Sequence, residues 1–238
     1  MNKVFSSPQL ALDDVLKDDL TIMVGGFGPC GLPENLIDAV LAHGAKNLTI
    51  ISTDCGVPDY GIGKLITAKR VRKLIAAYVG ENPEFTRQLL GGEIEVELNP
   101  MGTLVERIRS GGGGIPAFFT KTGYGTKVAE GKESRHFGED GFLMERWLKA
   151  DLALIKGHKA DTTGNVLFDK TARNFNAVMA PAATTAIVEV EQIVEPGSLD
   201  PDCIHTPGIY IDRIVQGTAY EKRIERRMTR RDPSKFPL

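Results

Sequence analysis

Apolar positions along this chain fall into two alternating rhythms. Thr21–Val24, Leu48–Ser52, Val71–Tyr78, Asp151–Lys156 and Ala186–Val190 are apolar at most positions, the composition of strands covered on both faces. Glu93–Leu98 alternates apolar and polar, the pattern of a strand with one wet face. Between them lie Glu34–His43, Gly63–Ala68, Pro83–Leu90 and Thr103–Ser110, whose apolar residues recur at helical spacing. Pro33 suits the first helical position, Glu34 the first turn and Gly44 the stop. Strands spaced by helices predict an α/β fold with an open, mostly parallel sheet flanked by helices. Ligands of such sheets bind beyond the carboxyl ends of the strands. The stretch from Gly111 to about Arg135 has no clear period, and its length points to a functional loop or an interface cover. Glu221 and Glu225 interleave with Lys222, Arg223, Arg226, Arg227, Arg230 and Arg231, which predicts a solvated terminal helix over Glu221–Arg231. The last residues, about ten, read as a frayed tail. No repeat or linker divides the chain, so residues 1–238 are expected to form a single domain.

Composition narrows the class. Of 238 residues, 42% are apolar and 25% charged, and the formal net charge is −2. These values describe a globular chain with a sizeable core and give no electrostatic footprint for nucleic acid. No stretch of about eighteen apolar residues occurs, so no membrane span is expected. Met1-Asn2-Lys3-Val4-Phe5-Ser6-Ser7 lacks the apolar centre and cleavage site of a secretion signal. Cys30, Cys55 and Cys203 are odd in number and match no metal spacing, which fits reduced thiols in a cytoplasmic protein without a metal. Cys30 fits a small buried residue better than a reactive thiol. His43, His136, His158 and His205 are scattered and suit surface or packing roles.

The chemistry concentrates in Thr21-Ile22-Met23-Val24-Gly25-Gly26-Phe27-Gly28-Pro29-Cys30-Gly31-Leu32-Pro33. A strand runs into a glycine-dense turn and then a helix, a layout that presents backbone N–H groups to an anionic group. Gly26 to Gly31 also fits the G-x-G-x-x-G outline of a dinucleotide site, with Asp54 after the next apolar run. Pro33 argues against that reading. In a dinucleotide motif the helix starts inside the turn, and Pro33 would then lie in its interior at a cost of about 3 kcal/mol.

Further blocks carry a more specific signal. They are Tyr78-Val79-Gly80-Glu81-Asn82, Gly92-Glu93-Ile94-Glu95-Val96-Glu97-Leu98, Gly102-Thr103-Leu104-Val105-Glu106-Arg107-Ile108-Arg109, Thr122-Gly123-Tyr124-Gly125-Thr126, Lys159-Ala160-Asp161, Gly164-Asn165, Ala172-Arg173-Asn174-Phe175-Asn176, His205-Thr206-Pro207-Gly208-Ile209-Tyr210 and Glu221-Lys222-Arg223-Ile224-Glu225. Together with Asp18–Pro33, where Asp19 stands in place of the usual Gly or Asn, they resemble the alpha subunits of family I coenzyme A-transferases, and most of all the 3-oxoacid branch. The resemblance runs nearly end to end.

It implies the alpha-subunit fold of that family and a ping-pong transfer with coenzyme A as substrate and no permanently bound cofactor. A glutamate attacks the acyl-CoA thioester, the released thiolate forms a glutamyl–CoA thioester, and an incoming carboxylate leaves with the coenzyme. In the family that glutamate lies in a Ser-Glu-Asn-Gly motif of the beta subunit. This chain has no such motif: Glu34-Asn35 is followed by Leu36 and Glu81-Asn82 by Pro83. No catalytic residue is therefore expected here, and a beta subunit is the implied partner, in an α2β2 assembly. Gly25, Gly26, Phe27, Gly28, Pro29, Cys30 and Gly31 are implied to bind the coenzyme, and Thr53, Asp54, Met101 and Gly102 to line the substrate pocket. The run Gly111-Gly112-Gly113-Gly114 is expected near the shared site or the interface. Thr53-Asp54 departs from the family's Asn-Asn or Asn-Asp, and Pro100-Met101-Gly102-Thr103 from its Pro-Gln-Gly-Thr. Replacing Gln by Met removes an amide donor, worth about 1.5–3 kcal/mol if it served a charged substrate. The readings left open are transfer between succinyl-CoA and acetoacetate, transfer to 3-oxoadipate or among acetate and short acyl groups, and a binding subunit with impaired turnover.

Overall fold

The near-continuous apolar runs are strands because both of their faces are covered. In the computed structural model, which describes residues 3–223, the elements in chain order are β1 (Val4–Phe5), α1 (Pro8–Leu12), β2 (Thr21–Val24), α2 (Glu34–His43), β3 (Leu48–Ile51), α3 (Gly63–Thr67), β4 (Val71–Ala76), α4 (Pro83–Leu90), β5 (Glu95–Leu98), α5 (Met101–Gly112), β6 (Ala117–Thr120), β7 (Ser134–Phe137), β8 (Asp140–Arg146), β9 (Ala150–Asp161), β10 (Val166–Leu167), α6 (Asn176–Met179), β11 (Ala183–Val194) and β12 (Arg213–Gln216). The main sheet has the order β1-β12-β11-β9-β2-β3-β4-β5, with every neighbour parallel, and β10 pairs antiparallel with β9. Alternate side chains of each central strand enter two separate cores. Ile22, Val24, Ile50, Leu74, Leu152 and Leu154 pack with α1 to α4, whereas Met23, Ile51, Ile75, Ala153 and Ile155 pack with α5 and α6. The open, mostly parallel α/β sheet predicted from the sequence is the observed fold.

The order of the strands locates the crevice. From β2 the chain adds β3, β4 and β5 on one side, then crosses to lay β9 and β11 on the other. The direction reverses between β2 and β9, so the loop after β2 opens at a topological switch point, where such sheets bind ligands.

Two helix starts show how the loops are held. Asn82 caps α4 by accepting from the Phe85 N–H at 3.0 Å, with Pro83 in the first turn. At α2, Pro33 is the cap rather than the first helical residue and offers no side-chain acceptor. Glu189 of β11 supplies it: its carboxylate accepts from the Leu36 N–H at 2.7 Å and from Asn35 Nδ2 at 2.7 Å. Burial pushes the Glu189 carboxyl up, and these hydrogen bonds oppose the shift.

The expected irregular stretch after Gly111 is a correction. β6, β8 and β7 form a separate antiparallel sheet in that order. Its inner face carries Leu143 and Glu145, both buried, and Arg107 of α5 donates to the Arg146 carbonyl at 2.8 Å. These strands are short and include Phe118-Phe119 and a turn at Gly138, too little periodicity to stand out. Gly111 and Gly112 are set well apart from Met101. They end α5, roughly 17 Å from Met101 at the helical rise of 1.5 Å per residue. A Cβ on Gly111 would lie 1.9 Å from the Leu148 carbonyl oxygen, so this glycine serves close packing. Of the expected terminal helix, residues 221–223 are not helical, and the rest, with the tail, lies outside the described residues. Among the described residues no helix is long and apolar enough to cross a membrane.

The cap from β11 is testable. Glu189→Ala strands the buried Leu36 N–H and leaves Asn35 Nδ2 only the Ala219 carbonyl, and is expected to cost about 2 kcal/mol in urea unfolding. Glu189→Gln keeps one oxygen, removes the buried charge and is expected to cost less. Equal stability of all three proteins would show that the cap contributes nothing.

Candidate functional site

Two tight turns, one after β2 and one after β3, wall the crevice. In the first, Phe27 and Cys30 exchange backbone hydrogen bonds of 3.0 and 3.1 Å. Gly28, at φ +53°, takes the first corner and Pro29 the second, the type II′ arrangement, in which only the first corner needs positive φ. In the second turn the Tyr60 N–H donates to the Val57 carbonyl at 3.1 Å.

Asp54 joins the turns. Its Oδ2 accepts from the Gly28 N–H at 2.9 Å and from the Thr53 hydroxyl at 2.7 Å, and its Oδ1 accepts from the Gly56 N–H at 2.8 Å. Thr53 is buried, and its carbonyl accepts from the Ala77 and Tyr78 N–H groups at 3.1 Å each, which ties in the end of β4. Asn82 completes the support by donating to the carbonyls of Cys55 and Gly56 at 3.0 and 3.2 Å. Next to it Glu81 sits at φ +66°, a conformation uncommon for a side-chain-bearing residue.

These loops enclose a cleft of about 690 Å³. Phe27, Pro29, Leu32, Tyr60, Tyr78 and Met101 give it apolar walls, and Thr53, Asp54, Glu81 and Arg223 are polar groups on it. On the other side of the turn that follows β2 lies a second cleft of about 500 Å³, lined by Cys30, Gly31, Lys156, His158, Lys170 and Lys222 among others. Met101 is placed by its neighbours: Asn99, two residues before it, accepts from Arg107 at 2.6 Å, and the same guanidinium meets Glu97 at 2.7 Å.

The segment after β12 closes the rim between the clefts. Glu34 accepts from the Tyr60 hydroxyl at 2.8 Å and from the Glu221 N–H at 2.9 Å. Arg223 stacks 4.8 Å from the centroid of the Tyr60 ring and pairs with Asp59 at 2.8 Å. Tyr220 lies under Lys156, and Glu191 pairs with Lys156 at 2.8 Å and Lys222 at 2.9 Å. Burial pushes the Glu191 carboxyl up, but the two ammonium groups outweigh it and hold it at about 2.

The residues expected from the sequence separate into groups. Phe27, Gly28, Pro29, Thr53, Asp54 and Met101 line the larger cleft, and Cys30 and Gly31 line the second. Gly102 is exposed and outside the lining of both, because the first turn of α5 points it away from Met101. Gly25 and Gly26 are buried beneath the turn. A Cβ on Gly25 would lie 1.8 Å from Asn176 Oδ1, and one on Gly26, at φ +123°, 2.6 Å from Leu32. Both are glycine for space and conformation, so Gly26→Val would be a folding defect before a binding one. Cys30 is exposed, against expectation: it sits at the end of the surface turn, its backbone paired with Phe27 and its thiol 3.7 Å from the Thr171 hydroxyl. Burial, with the Asp54 charge beside it, raises the Cys55 thiol to about 12, so that sulfur is inert. Sequence reasoning missed Tyr60, Arg223, Asn174 and Asn176; only the last three fall within the family-like blocks, and nothing local marked their roles. The dinucleotide outline fails here, since both Asp54 oxygens are taken by protein donors and the helix starts after the turn.

A crevice at the switch point of an open parallel sheet, walled by backbone turns, places this chain among the open-sheet α/β proteins, a class whose ligands bind at the strand ends. Residues 5–217 match the Coenzyme A transferase family, and the chain belongs to it. It is 54% identical over 227 residues to the A subunit of the probable succinyl-CoA:3-ketoacid coenzyme A transferase of Bacillus subtilis, covering 95% of each chain. It is 53% identical over 230 residues to the A subunit of the succinyl-CoA:3-ketoacid coenzyme A transferase of Helicobacter pylori strain J99, covering 97% of this chain and 99% of that one. Among solved structures, the acyl-CoA transferase of Escherichia coli O157:H7, a thioester complex with CoA, shares the fold with a TM-score of 0.80 at 21% identity. That match covers 91% of this chain but 47% of the other, so the chain spans about half the length of that protein.

The Glu191 pairs give a pH signature. A carboxyl whose folded value is depressed contributes stability above its unfolded value, about 4.3, and loses it as pH falls toward 2. Stability is expected to drop by roughly 2 kcal/mol from this group between pH 5 and pH 2. Glu191→Gln should remove that part of the slope in urea titrations at each pH. An unchanged slope would show that the pairs do not hold the rim.

Proposed function

We propose that this chain is the alpha subunit of a heteromeric CoA-transferase that moves the coenzyme between succinyl-CoA and acetoacetate. Residues 1–238 act in it as one unit, and a beta subunit of similar size completes an α2β2 enzyme in the cytoplasm. The observation that carries this reading is the 53–54% identity with the A subunits of its relatives over 95–97% of the chain. The name of the substrates comes from those relatives.

The site supports a shared active centre. Asp54 has both oxygens occupied and Glu81 is engaged as well, so neither is a free nucleophile on the larger cleft. In the reading favoured here, a glutamate of the companion chain attacks the thioester carbonyl and expels the CoA thiolate. The thiolate attacks the glutamyl carbonyl of the mixed anhydride, releasing succinate and leaving a glutamyl–CoA thioester. The acetoacetate carboxylate then reverses both steps and departs as its CoA ester. This chain contributes apolar walls for the acyl group and backbone donors beside it. Coenzyme A is the substrate, and no resident cofactor or metal takes part.

The test is co-purification with the product of the neighbouring gene and an assay with succinyl-CoA plus acetoacetate. Turnover by the pair and none by either chain alone is expected. A stable pair inert with acetoacetate, 3-oxoadipate and acetate would instead identify a binding subunit. Met101→Gln restores an amide to the cleft wall and is expected to preserve kcat/KM for acetoacetate, or to raise it by about ten- to a hundredfold if the amide makes one hydrogen bond to a charged group. A loss of activity would show a cleft rebuilt around the thioether for another acyl group.

A further inference from the structure

The turn assigned to the coenzyme is held from behind by two asparagine amides. Asn174 Nδ2 donates to the Cys30 carbonyl at 3.0 Å, and Asn176 Nδ2 donates to the Gly31 carbonyl at 3.0 Å. Asn176 is fully buried and is itself fixed. Its Nδ2 also reaches the Ala172 carbonyl at 2.9 Å, and its Oδ1 accepts from the Lys156 N–H of β9 at 2.8 Å. Asn174 Oδ1 accepts from the Phe175 N–H at 2.7 Å and from Asn176 Nδ2 at 3.2 Å, so the two amides orient each other.

A trans peptide points its N–H away from its carbonyl. With the Gly31 carbonyl held by Asn176, and the Cys30 carbonyl held by Asn174 together with the Phe27 N–H at 3.0 Å, the N–H groups of Gly31 and Leu32 are turned to the opposite side. Neither N–H has a hydrogen-bond partner among the described residues, and the next residue, Pro33, has none to offer. Leu32 lines both clefts and Gly31 the second. Two adjacent donors, unpaired and held rigidly, suit an oxygen that gains negative charge during reaction. We propose that Asn174 and Asn176 are positioning residues that aim the N–H groups of Gly31 and Leu32 at an oxygen of the bound acyl-CoA. The inference rests on the transferase reading, and neither side chain touches a reacting atom in it.

The test uses the pair of chains. Asn174→Asp keeps the side-chain shape and the acceptor for Phe175 but cannot donate to the Cys30 carbonyl. It is expected to lower kcat with succinyl-CoA and acetoacetate at least about tenfold, counted per site that forms the companion's glutamyl–CoA thioester. KM for succinyl-CoA is expected to change less than about threefold, the pattern of an interaction made in the transition state. A kcat per competent site equal to that of the unsubstituted pair overturns the proposal, because a merely structural role would reduce only the number of sites. A second measurement does not need turnover. With only this chain labelled with nitrogen-15, the Gly31 and Leu32 amide resonances are expected to move in Asn174→Asp, and to shift in the unsubstituted pair when succinyl-CoA is added. Amides that ignore both changes overturn the proposal even if the pair is active. Amides that respond in a pair without turnover sustain the positioning role and remove the transferase reading instead.

Discussion

The site depends on one carboxylate that reaches two loops at once. Asp54 takes the Gly28 N–H on one oxygen and the Gly56 N–H on the other, and so sets the distance between the turn after β2 and the turn after β3. A carboxylate can do this because both oxygens accept, and because accepting several N–H and O–H donors replaces the water it gives up. The larger cleft is the space between these turns, with the end of β4 added through the Thr53 carbonyl. Asp54 thus shapes the cleft more than it offers a free group to a ligand.

The same economy governs the glycine-dense turn. Its N–H groups do not all face outward: those of Phe27 and Cys30 close the turn, that of Gly25 bonds to the Leu154 carbonyl, and that of Gly28 goes to Asp54. Left without a partner among the described residues are the N–H of the buried Gly26 and, nearer the surface, the pair at Gly31 and Leu32 on the side away from the asparagines. A chain that supplies shape and backbone donors, with its carboxylates already engaged, is consistent with chemistry completed by a second polypeptide.

Much of the fold was legible because βα units signal twice, through apolar runs and through the caps that separate them. β2, α2 and α4 begin and end at the residues read from the sequence, since Gly44 stops one helix and Asn82-Pro83 starts another. The small antiparallel sheet was not legible. Its strands are short, β7 is exposed throughout, and its attachment runs through the buried Glu145 and the Arg107 side chain rather than through a periodic apolar face. In the site, the glycine turn stood out locally, and Thr53-Asp54 and Met101 entered through the family resemblance. Their partners did not: Asn176 lies 145 residues from the carbonyl it holds and Glu189 153 from the helix it caps, distances at which only the tertiary fold can pair them. Gly102 was grouped with Met101 by motif alone, and helical geometry separates them.

The most direct measurement of this account is a crystal structure of Asp54→Ala. With the shared acceptor gone, the turns at residues 27–30 and 57–60 are predicted to part and the larger cleft to lose its walls, while the strands beneath stay in register. Turns that kept their positions without the carboxylate would contradict the claim that Asp54 builds the site.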